Sequence, residues 1–400
     1  MRSDATYDAF VDLGRRTVAA VAVALLAAPS CTSSEAASSF SPTHAPVSSA
    51  QPSDTPPSGA QPSDTPPLAA RPDDLCPRPE CDEGPYTGFS IDDAWVDAIG
   101  LPEAWAITHG GEVTVVLLDA GVSNLADLRG KVLEQFKGEG VAPTLDPVQA
   151  AHGNAMASII AADTDNGLGI AGAGWDTQIV SIDMGETYAH FTELTQERRW
   201  DRRHIVDLFR QAAGVPGVRI ISFSSVVNPS AALLREIERI VDAGILVVAG
   251  AGNEESPGVT TLRYPAAYDG VIGVGGAIVA PNGSVGIWSG SNVGPQVDVY
   301  SPTYIPALLG PGNVDVIAGT SPATALTSGV LALLLSVYPS LTPAEVEELL
   351  ATTSSRFPSE YRTRDPDGGD VVTLPGEGPP EPQLIDAAAL FAGAAAISGG

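Results

Sequence analysis

Four residues of the 400-residue chain are of types that carry acyl-transfer chemistry, and each lies in a distinct local setting. Ser321 follows Gly319-Thr320 and leads into an apolar run, residues 330–337, closed by Pro339. That run predicts a helix buried on all sides, with Ser321 at its N-terminus. Backbone N–H groups left unpaired there, and the positive end of the helix dipole, favour negative charge on a reacting oxygen. A nucleophile gains from that location; the same residues also make an ordinary helix cap. Asp119 ends a run of apolar residues and precedes Ala120-Gly121. An acid in that position is partly buried and needs a partner, unless it only caps the following turn. His152 opens a stretch of small residues, 151–161, that packs close to its neighbours, whereas His44, His109, His190 and His204 have no comparable setting. A lone histidine at a helix start is also commonly structural. Asn253 follows an apolar strand that ends in glycines. Its amide is able to donate to an oxyanion or to fill a turn.

Elements that position these four are legible around them. Apolar, β-branched runs at 113–119, 179–184, 218–223, 245–249 and 271–274 read as strands, and 152–162, 204–213 and 231–243 as helices. Strands of this kind separated by helices predict an α/β fold: a doubly wound, mainly parallel sheet with helices on both faces. Such sheets place their sites at the C-terminal ends of strands, which is where Asp119 and Asn253 fall. Further on, Thr342-Pro343-Ala344-Glu345 reads as a capping box opening a helix to about Thr353. Residues 358–382 read as an irregular acidic connection, and residues 383–397 as a closing helix.

A net charge of −28 and a pI near 4.3 argue against nucleic acid or an anionic membrane surface as partner, since both are polyanions. Arg15 and Arg16 precede an apolar run, residues 17–28, too short to span a bilayer and suited to the core of a signal peptide. Residues 1–31 are therefore expected to be a signal segment, with release by cleavage near Ala28 to Ser30 or lipid attachment at Cys31 as alternatives. Setting Cys31 aside leaves Cys76 and Cys81, close enough for a small loop disulfide in an oxidising compartment. Residues 32–85 carry the repeat Gln-Pro-Ser-Asp-Thr-Pro-Pro at 51 and 61 and read as an extended Pro/Ser-rich linker. The globular part is expected over residues 86–400, as an extracytoplasmic monomer without a transmembrane helix.

Taken together, Leu118-Asp119-Ala120-Gly121, His152-Gly153-Asn154, Ala251-Gly252-Asn253 and Gly319-Thr320-Ser321 resemble the subtilisin-like serine peptidases. The order Asp, His, Ser is the one that family uses. Spacings of 33 and 169 residues between the three suit it. Tyr264-Pro265-Ala266-Ala267-Tyr268, Ser291-Asn292-Val293-Gly294-Pro295 and Leu384-Ile385-Asp386 extend the resemblance over about 94–395. It implies an endopeptidase in which Ser321 is the nucleophile and His152 the proton carrier. Asp119 then holds His152, and Asn253 shares the oxyanion with the Ser321 N–H. Substrate is expected as an added strand beside residues 222–225 and 248–252, touching Ser224, Ser225, Gly250, Ala251 and Gly252. Ser225 and Val226 stand where the family often has glycines, which narrows the first pocket.

Some positions depart from the family pattern: Ala120 for Thr or Ser, Asn154 for Thr, Pro322 for Met and Ala325 for Pro. Pro322 is expected at the first helical position, where its missing N–H costs nothing. These departures motivate the rival reading, a non-catalytic peptide-binding domain that kept the fold. A serine esterase is disfavoured because no Gly-x-Ser-x-Gly elbow surrounds Ser321. The chemistry requires no cofactor. By family likeness a structural calcium is expected at Asp127 and Asn166, with Thr164, Asp165 and Leu168 nearby. The segment 185–203, with Arg198, Arg199, Arg202 and Arg203, reads as a charged surface stretch.

Overall fold

A computed structural model describes residues 94–111, 113–138, 150–184, 202–254, 263–364, 371–379 and 381–398. The signal segment, the linker, Cys31, Cys76, Cys81 and most of the arginine-bearing stretch 185–203 lie outside the described residues.

Helices α1 (Ala94–Ala98) and α2 (Leu101–Ile107) lead into strand β1 (Thr114–Asp119), buried along its whole length. Successive side chains of a strand point to opposite faces, and β1 serves two cores in that way. Val115 and Leu117 join one apolar core and Val116 and Leu118 the other. Asp119, next in the alternation, falls on the Val115/Leu117 face. The chain continues through β2 (Val132–Lys137), α3 (Ala151–Ala161), β3 (Gln178–Asp183), α4 (Arg202–Ala213), β4 (Val218–Phe223), α5 (Ala231–Asp242), β5 (Leu246–Gly250) and β6 (Val271–Val279). Ser230 caps α5 by accepting from the Leu233 N–H.

These strands pair in the order β6-β5-β4-β1-β3-β2, every neighbour parallel. From β3, on one side of β1, the chain crosses to β4 on the other. Loops leaving the ends of β1 and β4 therefore part in opposite directions and open a crevice beyond the carboxyl ends of the strands. That crevice is where Asp119 lies.

Beyond β6 come β7 (Val285–Trp288), β8 (Val299–Pro302), the hairpin β9 (Ile305–Gly310) and β10 (Asn313–Ile317), and helix α6 (Thr320–Val337). Helix α6 lies over the Val115/Leu117 face, with Leu326 and the whole run Val330 to Leu335 buried in that core. By length and composition it is apolar enough to cross a membrane, but 83% of it is buried within the fold, as befits a central core helix. Removing one of its buried leucine side chains would cost about 2–5 kcal/mol. The chain closes with α7 (Pro343–Thr353), β11 (Ser355–Arg356), β12 (Glu360–Arg364), β13 (Val371–Glu377), β14 (Gln383–Leu384) and α8 (Ala387–Ser398). The capping box at Thr342 and Glu345 is formed as expected.

The structure departs from the sequence expectations in four places. Strand β6 runs to Val279, not 274, because Gly275 and Gly276 continue it where a Cβ would strike Tyr300 and Trp288. Within 358–382 the described residues are not all irregular: β12 and β13 pair antiparallel, and β12 docks on β7. The closing helix begins at Ala387 rather than 383, since Gln383 and Leu384 pair with β11 and β8, and Asp386 accepts from the Ala389 N–H. Pro322 is not the first helical residue: with Gly319 as N-cap it is the third.

Candidate active site

Asp119 is 1% exposed, so its charge must be answered locally. Its Oδ1 accepts from the Ala120 N–H at 2.7 Å and faces His152 Nδ1 at 2.8 Å, with Oδ2 at 2.9 Å from the same nitrogen. An ionised carboxylate only accepts, so Nδ1 carries the proton and the neutral ring keeps its lone pair on Nε2. The departure at position 120 leaves this intact, because the bond comes from the backbone.

His152 is brought to Asp119 by the close approach of α3 to the turn after β1. A Cβ on Gly153 would lie 1.9 Å from the Gly121 carbonyl oxygen, so only glycine allows that contact. Asn154, fully buried, accepts from the Ser123 N–H at 2.7 Å and donates to the Leu309 carbonyl at 3.0 Å. It thereby ties the turn after β1 to the β9 hairpin, a role its sequence position did not disclose.

The second half of the site is the N-terminus of α6. Its first four N–H positions are Gly319, Thr320, Ser321 and Pro322. Thr303 Oγ1 accepts from Gly319 at 2.8 Å, Asn253 Oδ1 accepts from Thr320 at 2.9 Å, and Pro322 has no N–H. Among the described residues this leaves the Ser321 N–H as the remaining donor of the four. Proline at the third position costs no intrahelical bond there, since that N–H has no partner within a helix.

The Thr320 N–H and Thr320 Oγ1 (2.8 Å) both bond Asn253 Oδ1. A backbone N–H only donates, so the oxygen of the Asn253 amide is fixed toward Thr320 and its Nδ2 lies on the other side. A Cβ at Gly319 would stand 3.3 Å from Asn253 Nδ2 and 3.6 Å from the Ser321 nitrogen. Gly319, at φ 145°, thus leaves a small space bordered by two N–H donors. Ser321 and Ser224 hold each other, Ser321 Oγ donating to the Ser224 carbonyl at 3.2 Å and Ser224 Oγ to the Ser321 carbonyl at 3.1 Å. Gly250 lets α6 approach the end of β5, for a Cβ there would be 2.9 Å from Thr320 Oγ1.

Asn292 is a residue whose part the sequence hid. It is fully buried, its N–H donates to the Gly252 carbonyl at 3.0 Å, and its Oδ1 accepts from the Glu254 N–H at 3.2 Å. It therefore holds the backbone on both sides of Asn253. The strand-addition expectation narrows as well. Ser222 and Phe223 are paired with Val248 and Ala249 inside the sheet, so only the chain from Ser224 onward offers a free edge.

Asp127 and Asn166 are also brought together, but by a direct bond. Asp127 Oδ1 accepts from Asn166 Nδ2 at 2.9 Å, Oδ2 accepts from the Ile170 N–H at 3.1 Å, and Asn166 Oδ1 accepts from the Leu168 N–H. Burial holds the Asp127 carboxyl above its ordinary pKa, with the bonds from Asn166 and Ile170 pulling the other way. Asp127 Oδ1, Asp127 Oδ2 and Asn166 Oδ1 thus each accept one protein N–H. Among the described residues no group of three or more His, Cys, Asp or Glu side chains is placed to hold a metal. Lys131, buried beneath the loop, bonds Asp163, Asp176 and the Trp175 carbonyl and pins both loop ends.

The family model of the subtilase family matches residues 110–376, which span both halves of this site. The chain belongs to the subtilase family. Subtilisin NAT of Bacillus subtilis subsp. natto is 30% identical to this subtilase over 257 residues, 63% of this chain and 63% of that protein. The chain therefore matches less than two thirds of that relative's length. Subtilisin of Bacillus pumilus is 29% identical over 257 residues, 63% of this chain and 87% of that protein. In fold, a protease of Pseudoalteromonas arctica PAMC 21717 superposes with a TM-score of 0.56 at 23% identity, covering 77% of this subtilase and 99% of that chain.

Proposed function

We propose that this subtilase is an exported serine endopeptidase. The observation that carries the reading is the space beside Gly319, bordered by Asn253 Nδ2 and the Ser321 N–H. A domain that merely binds peptides has no use for two donors beside a helix-terminal serine, whereas a tetrahedral oxyanion needs them.

The chemistry follows from the bonded groups. Ser321 Oγ attacks the carbonyl carbon of the scissile peptide as its proton passes to His152 Nε2. The oxyanion takes hydrogen bonds from Asn253 Nδ2 and the Ser321 N–H. His152 then gives the proton to the leaving nitrogen as the C–N bond breaks, leaving an acyl group on Ser321. Water attacks that ester, its proton passing to His152 and back to Ser321 Oγ. Asp119 keeps the proton of the neutral ring on Nδ1 and stabilises the imidazolium. No metal or cofactor takes part in these steps. Substrate backbone lies along Ser224 and Ser225 on one wall and Gly250, Ala251 and Gly252 on the other. Residues 1–31 serve as export signal and 32–85 as a stalk to the peptidase domain, 86–400, which is released or held at the envelope through Cys31.

The test is labelling of the purified protein by a fluorophosphonate, with Ser321→Ala in parallel. Labelling of the wild type alone, with thermal midpoints within a few degrees, is the expected outcome. A folded wild type that does not label would favour the peptide-binding reading instead.

A further inference from the structure

The β9–β10 hairpin leads directly into the N-terminus of α6, and buried polar side chains bolt it at two points. At its base Ile305 pairs with Ile317, and just outside that pair Thr303 meets Gly319. Thr303 is 3% exposed, its N–H donates to the Ala277 carbonyl at 2.8 Å, and its Oγ1 accepts from the Gly319 N–H at 2.8 Å. Gly319 has no side chain with which to cap α6, and its φ of 145° is one that residues with a Cβ rarely adopt. The Thr303 hydroxyl therefore fixes the direction of the peptide from which the helix of Ser321 starts.

The second point of attachment is α3, which carries His152 in its first turn. Asn154 Nδ2 donates to the Leu309 carbonyl at 3.0 Å. Ser158 Oγ accepts from the Leu308 N–H at 3.0 Å and donates to the Ala155 carbonyl at 2.8 Å. Asn154 and Ser158 are both fully buried, and at a spacing of four they lie on one face of the helix. Ile305, Ala307 and Leu308 anchor the same strand in the apolar core that α6 fills.

We infer that the β9–β10 hairpin is the spacer that sets His152 against Ser321, with Thr303 and Asn154 as its positioning residues. The inference rests on the peptidase reading. The links act in series: α3 holds β9, β10 leads to Gly319, and Gly319 borders the space between Asn253 Nδ2 and the Ser321 N–H. A misplacement of about 1 Å between reacting groups costs up to about 10²-fold in rate, so slack at either bolt slows the chemical step. The substrate backbone is held elsewhere, at Ser224, Ser225 and residues 250–252, so its binding is spared.

The experiment measures kcat and KM on one quenched peptide, and the rate of fluorophosphonate labelling, at a temperature where circular dichroism shows each variant folded. Thr303→Val keeps the shape and removes the acceptor. It should lower kcat and the labelling rate at least tenfold with KM within threefold, and Thr303→Ser should stay within threefold of wild type in all three. Asn154→Ala should lower kcat at least fivefold with KM within threefold. Because the links act in series, the double variant should fall no more than threefold below the slower single one, whereas independent sites would multiply. Should either single variant fail to fold, Ser158→Ala, which loses only a hydroxyl, should lower kcat at least threefold with KM kept. Unchanged kcat in the folded variants, an effect on KM alone, no rescue by Thr303→Ser, or a double variant at the product of the singles overturns this inference alone. A folded wild type that neither labels nor cleaves overturns the peptidase reading and the inference with it.

Discussion

Asp119 and Asp127 are near neighbours in sequence, both almost fully buried, and each carboxylate is satisfied by protein donors. The sets of donors differ in one respect. Asp119 has a backbone N–H and an imidazole, Asp127 a backbone N–H and an amide. An amide has no proton to exchange near neutral pH, so the Asp127 cluster has only a geometry to offer and serves to fold the 162–172 loop. An imidazole exchanges its proton in that range, so the Asp119 cluster is able to relay a change of charge to its neighbours. Burial makes a carboxylate demand partners; the identity of the partner decides whether the result is a brace or a reactive group.

Three substitutions test that contrast, in decreasing order of effect. Asp119→Asn presents an amide N–H to His152 Nδ1 and favours the wrong tautomer. We expect kcat to fall by about 10⁴-fold, as in triad enzymes generally, with the fold retained; a fall below tenfold would remove Asp119 from the relay. Asp127→Asn sets an N–H donor against Asn166 or Ile170. It should cost about 1–3 kcal/mol in denaturant unfolding while kcat stays within about twofold, and added calcium should not restore the loss. A large kcat effect, or rescue by calcium, would break the distinction.

The third concerns a half-buried carboxyl with fewer partners. Asp298 Oδ2 accepts the Gly273 N–H at 2.7 Å, and burial, with Glu347 nearby, lifts its pKa from 3.8 to about 6. A carboxyl that holds its proton more tightly when folded adds stability at low pH. That stability is lost as pH rises from about 4 through about 6, a change of about 3 kcal/mol at most. Asp298→Asn keeps an acceptor for Gly273 and should flatten the stability profile over that interval without altering kcat. An unchanged slope would assign the pH dependence to other groups.

Much of the site is legible in the amino-acid sequence because its signals are local. The apolar run after Ser321, the strand ending in Asp119 and the glycines before Asn253 are each a property of about ten consecutive residues, and periodicity and turn chemistry report on that range. Strand β2 and the β12–β13 hairpin escape the same reading. Their sequences, Val-Leu-Glu-Gln-Phe-Lys at the edge of the sheet and Glu-Tyr-Arg-Thr-Arg between β7 and β13, carry many polar residues, so pairing rather than composition makes them strands.

By itself, then, the sequence determined which side chains exist to do chemistry, their order, and the alternation of strands and helices that carries them to one edge of a sheet. Tertiary structure decided what each side chain meets. It gave Asp127 an amide partner, turned the oxygen of Asn253 toward Thr320, placed Asn292 against the backbone on both sides of Asn253 and brought Arg263 to Glu254. Propensity and patterning act over a few residues, whereas a hydrogen bond between groups dozens of residues apart exists only once the chain has closed the loop between them.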